Sequence, residues 1–122
     1  MVNLFKITVV AALLSVSAYA GDAAKGKAIY KKVNCALCHN ADGMGKAADV
    51  SKIAIVKGPR IAGLDAAYVA EQVTAIQSKK RKTKNTSMMW TKVRGLSAQD
   101  IKDVAAYVTT MSKDKYKGMN QK

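Results

Sequence analysis

Apolar residues recur at three- and four-residue steps in three stretches of this chain, which is helical spacing. The first stretch runs from about Asp22 to Val33. Ala23, Lys27 and Tyr30 fall near one face, with Gly26 and Ile29 beside them. Gly26 lowers helix propensity, so its position predicts a close crossing with another helix. The second stretch opens on Asp65 as an N-cap and carries Val69, Val73 and Ile76 up to about Ser78. The third begins at Ser97, where Ser97-x-x-Asp100 reads as a capping box. Ile101, Val104, Ala105, Val108 and Met111 then form one stripe, with Tyr107 between. Residues 40–64 show little periodicity and are punctuated by Gly43, Gly45, Gly58, Pro59 and Gly63, with Ile53, Ile55 and Val56 as apolar anchors. A loop of this length is expected to be functional or to wrap a ligand. Residues 85–96 read as a second irregular segment, and the lysine-rich tail from Ser112 reads as frayed. No strand-rich stretch competes. The pattern predicts an all-α chain: helix, turn, long loop, helix, methionine loop, helix.

The N-terminus follows a different logic. Lys6 supplies a positive start, Ile7 to Val16 is apolar apart from Thr8 and Ser15, and Ala18-Tyr19-Ala20 is an A-x-A site. This predicts a cleaved export signal over residues 1–20, with Gly21 as the new terminus. A membrane span needs about 20 apolar residues, and this run falls well short. No cysteine follows the signal, so a lipid anchor at that point is not expected. Residues 21–122 are then one small domain, with 112–122 as its polar tail.

Charge narrows the partners. The chain has 21 Lys and Arg against 8 Asp and Glu, a formal net charge of +13. Long-range steering then favours a negatively charged partner. Lys79, Lys80, Arg81, Lys82 and Lys84 crowd the end of the second helix. Cations suit a helix C-terminus through its dipole, but five exceed what a cap needs. They read equally as a solvated helix end and as a docking patch.

The chemistry lies in Cys35-Ala36-Leu37-Cys38-His39, which uses both cysteines and the single histidine of the chain. C-x-x-C-H is a c-type haem attachment pattern. Two thiols bond the haem vinyl groups, and the adjacent imidazole meets the iron axially. A disulfide, a redox dithiol and a zinc site are the alternatives. Export favours oxidation of neighbouring thiols, but a thioredoxin-like motif needs a βαβ setting. Zinc usually takes four protein ligands, or three plus water, and no other Cys or His exists here. One covalent haem c is the expected cofactor, its iron held by His39. With an exported haem protein in view, an acidic redox partner or an anionic membrane surface is expected in place of nucleic acid.

A second, soft ligand would make such a haem an electron carrier of raised potential. Met44 is too near His39 in the chain to reach the opposite haem face easily. Met111 lies on a core stripe and Met119 in the tail. Met88 and Met89 remain, and spacing alone does not separate them.

The chain resembles the small bacterial class I cytochromes c, in particular the cytochrome c-553 type. The resemblance spans most of residues 22–111. It rests on Gly26 to Tyr30, Cys35 to His39, Ala41-Asp42-Gly43, Gly58-Pro59, Met88-Met89, Gly95-Leu96-Ser97, and Asp100-Ile101 through Ala106-Tyr107. It implies a small cytochrome c-like fold, with helices wrapped around one haem. It implies Met89 as the second ligand, since the family methionine stands seven residues before the leucine matched by Leu96. It implies that the Pro59 carbonyl receives the other ring N–H of His39, and that the first and last helices cross near Gly26 and Tyr107. Trp90, next to the ligand, is expected to cover the haem or fill core. The chain departs from relatives that carry proline after the methionine, and the basic run and the tail lie outside the motif.

The expectation is a periplasmic, monomeric electron carrier without enzymatic turnover. A haem subunit of a larger oxidoreductase complex and a ligand-sensing haem protein are the alternatives.

Overall fold

Asp22 opens the first helix by accepting the Ala24 and Lys25 amides on its carboxylate, at 2.9 and 3.2 Å. This computed structural model describes residues 21–45, 58–83, 86–118 and 121. The expected signal 1–20, the anchors Ile53, Ile55 and Val56, Lys84 and Met119 lie outside the described residues. Among the described residues the chain forms α1 (Ala23–Lys32), α2 (Ala36–His39), α3 (Ala66–Gln77), α4 (Thr86–Val93) and α5 (Ala98–Thr110), with no strand.

The caps expected from the sequence are present. Asp65 accepts the Tyr68 amide at 2.9 Å and starts α3. Ser97 and Asp100 exchange two 3.0 Å bonds and start α5 as a reciprocal capping box. Each satisfies amides that a helix N-terminus otherwise leaves unpaired.

The core is Tyr30, Leu64, Val69, Val73, Ile76, Val93, Ile101, Val104, Ala105 and Val108. The α5 stripe is therefore buried as its spacing requires, and each buried Val or Ile is worth about 1.5–3 kcal/mol relative to exposure. Helix α1 crosses α5 where Gly26 meets the Asp103 backbone. A Cβ on Gly26 would strike the Asp103 carbonyl and come within 2.8 Å of the Tyr107 Cβ. Next to this contact the Tyr30 and Tyr107 rings pack edge-to-face, with centroids 5.5 Å apart. Asp103 is the buried polar residue of the crossing, and its carboxylate accepts the Asp22 amide at 2.8 Å and the Gln99 side chain at 2.9 Å.

Two segments differ from the sequence expectation. Residues 86–93, read as irregular, form helix α4. Its support comes from α3: the Gln77 side-chain amide donates to the Val93 and Leu96 carbonyls at 2.9 and 2.7 Å. The described tail is also held. Tyr116 packs against the core, its amide reaches the Gly63 carbonyl at 3.2 Å, and the Arg60 guanidinium lies 4.7 Å over its ring. No helix among the described residues is long and apolar enough to cross a membrane.

Candidate haem-attachment site

Cys35 to His39 occupy a single helical turn, α2 with Cys35 as its N-cap. Asn34 and Asn40 flank it at φ +58° and +64°. Asparagine tolerates positive φ better than most residues, so the chain can turn sharply into and out of the motif. At Asn40 ψ is 162°, a conformation that costs on the order of 1–3 kcal/mol outside glycine. Two bonds hold it there. The buried Tyr30 hydroxyl donates to the Asn40 carbonyl at 2.6 Å, and the Asn40 side-chain amide donates to the Gly45 carbonyl at 2.7 Å. Burial keeps the Tyr30 hydroxyl protonated far above the usual tyrosine range. Helix α1 thus fixes the exit from the motif.

His39 is oriented from its other side. Its Nδ1 lies 2.8 Å from the Pro59 carbonyl oxygen. A carbonyl only accepts, so Nδ1 carries the proton and a neutral ring keeps its lone pair on Nε2. Burial lowers the histidine pKa, and the Pro59 bond opposes that shift in part. The neutral donor form is therefore the resting state at neutral pH. Gly58 brings Pro59 this close. At φ +92° a Cβ there would collide with the Cys38 carbonyl, so the loop lies directly on the motif.

The thiols are half-buried and not bonded to each other. Burial pushes the Cys35 thiol up to about 11. Reactive redox dithiols need the opposite shift. Among the described residues, no group of three or more His, Cys, Asp or Glu side chains converges to hold a metal ion. Two thiols on one helical turn, with that of Cys35 pushed away from the reactive range, and an imidazole held by its Nδ1 fit a covalently attached haem better than a redox dithiol or a zinc site.

The methionines divide by exposure. Met88 is 46 % and Met44 43 % exposed. Met89 is half-buried and packs against the same core cluster as Cys35 and Ala36. Met111 also packs there, at the end of α5. Trp90 leaves Met89 toward α3: its indole N–H donates to the Gln77 carbonyl at 3.1 Å, and Lys79 lies 4.4 Å over its ring. Cys35, Cys38, His39 and Pro59 come together at one turn, while Met89 and Trp90 pack against the core from α4. Sequence reasoning missed Gln77 and Asn40. Each acts through a main-chain contact that residue spacing does not display.

Residues 23–112 match the cytochrome c family. The chain belongs to it. Cytochrome c-554(548) of Halomonas halodenitrificans is 35% identical over 91 residues, which is 75% of this chain and 98% of that protein. A cytochrome c carries covalently bound haem c, whose iron changes oxidation state and so passes electrons. In this cytochrome c the fold is all-α, as the sequence predicts.

Proposed function

We propose that this cytochrome c is a periplasmic monohaem carrier of single electrons, with no substrate turned over. Cys35 and Cys38 would hold the haem through thioethers, and His39 Nε2 and Met89 Sδ would ligate its iron. The observation that carries this reading is the 2.8 Å contact between His39 Nδ1 and the Pro59 carbonyl. It leaves one ring nitrogen for the metal and makes that nitrogen more basic. For the other ligand, Met89 is favoured over Met88 because it packs against the core from α4 while its neighbour is exposed. Thioether sulfur suits soft iron and raises the potential.

Export and docking complete the reading. Residues 1–20 would be removed after Ala20, and the mature chain would meet its redox partner in the periplasm. The basic run from Lys79 onward is the surface to which an acidic partner would be steered. Lys80 and Lys82 are exposed there.

The test is the visible spectrum of the ferric and ferrous protein, taken with and without carbon monoxide. The expected result is a low-spin, six-coordinate haem that does not take up carbon monoxide. A high-spin or carbon monoxide-binding ferrous haem would rule out stable His–Met ligation and favour a ligand-sensing protein.

A further inference from the structure

An open cleft of about 570 Å³, to which none of Cys35 to His39 contributes, lies between the end of α3 and the start of α4. Ile76, Lys79, Arg81, Lys82, Thr83, Thr86, Ser87 and Trp90 line it. Three are cations, three are hydroxyls and none is an acid. Lys79 sits at φ +61° after α3, where the chain turns back so that Arg81 lies beside Gln72 and Ala75 of α3. The Arg81 amide closes this turn on the Ala75 carbonyl at 3.0 Å.

Arg81 is incompletely satisfied. One terminal nitrogen donates to Gln72 at 3.0 Å, but its Nε is buried with no hydrogen-bond partner. A buried unpaired donor is uncommon and costly, more so when the group is charged. Guanidinium, ammonium and hydroxyl donors facing one space, without a carboxylate to neutralise them, match a tetrahedral oxyanion. A monoanion would leave most of the positive charge uncancelled. The volume exceeds that of one phosphate and leaves room for a small organic substituent.

We infer that this cleft binds a phosphate-class dianion, as the free ion or as a phosphate monoester. Arg81 and Lys82 supply the charge, and the Thr83 and Ser87 hydroxyls supply neutral donors, whereas the Thr86 hydroxyl and amide already donate to the Thr83 carbonyl at 2.9 and 3.1 Å and only shape the wall. Lys79 is already placed at the wall by its contact with the Trp90 ring. An occupant would cancel charge on the face proposed to meet an acidic partner. That consequence rests on the docking reading, whereas the binding does not and is measured without any partner.

The test uses reduced holoprotein and the indole N–H resonance of Trp90, the single tryptophan of the chain. Inorganic phosphate and glycerol phosphate are titrated separately, with sodium chloride holding ionic strength constant. A saturable shift of the indole and of the Thr83, Thr86 and Ser87 amides is expected. Tighter binding of glycerol phosphate would assign a monoester, and tighter binding of phosphate the free ion. Arg81→Gln should weaken binding about tenfold, the value of one charge-assisted hydrogen bond. Lys82→Gln, at an exposed position, should weaken it without touching the fold. Shifts that rise linearly without saturation, or that persist unchanged in both variants, would overturn the inference.

Discussion

At the scale of single residues, the haem-attachment turn depends on neighbours that carry no haem chemistry themselves. Tyr30 holds the Asn40 carbonyl, and Gly58 lets Pro59 approach His39. Gly58→Ala should be severe, because it adds both a positive-φ penalty and a collision with the Cys38 carbonyl. A loss of roughly 1–3 kcal/mol from backbone strain is expected before the collision is counted. Gly95→Ala is the control, since a Cβ there meets nothing within 4 Å. Thermal unfolding of the two holoproteins checks this, and equal stabilities would show that Gly58 is not pressed on the motif. The sequence made Cys35, Cys38 and His39 legible because covalent attachment needs fixed local spacing. It did not show Asn40 as a strained hinge, because the bond that holds it comes from Tyr30, ten residues away.

Among the elements, the crossing of α1 and α5 and the support of α4 show where local pattern succeeds and fails. α5 was legible throughout: a capping box starts it and a regular stripe faces the core. α4 was not. Thr86, Ser87, Thr91, Trp90 and Val93 are modest helix formers, and the α4 carbonyl of Val93 is capped by Gln77 of α3. Tertiary packing thus overrides weak propensity, and no window of the sequence contains both partners. The crossing also sets a pH dependence. The Asp22 amide holds the Asp103 carboxyl below its usual range, with smaller help from Gln99 and Lys25, while burial opposes them. A depressed carboxyl stabilises the fold above its unfolded pKa, and that contribution is lost as pH falls through the folded value. The stability gap between wild type and Asp103→Asn should therefore be widest at about pH 7 and should shrink below about pH 4, where the unfolded carboxyl protonates. Denaturant melts across this range measure it. A gap independent of pH would show that charge at Asp103 contributes nothing.

On the scale of the whole molecule, a formal net charge of +13 surrounds a small haem protein, and the described tail is tied back to the core through Tyr116. The charge was plain from composition, but its layout was not. The same basic run lies partly along a cleft and partly in open solvent. Lys80 is exposed and does not line the cleft, so Lys80→Glu isolates steering from ion binding. The second-order rate of electron transfer to an acidic partner should fall at least about tenfold between low and physiological salt. Lys80→Glu should slow it at low salt, and a flat salt profile would remove this face as the docking surface. The central claim is that His39 and Met89 together make the haem an electron carrier. Its most direct test compares the far-red methionine–iron band of the ferric protein in wild type, Met88→Ala and Met89→Ala. The account predicts the band in wild type and Met88→Ala and its loss in Met89→Ala, with conversion to high spin. A band that survives Met89→Ala, or that disappears only in Met88→Ala, would contradict it.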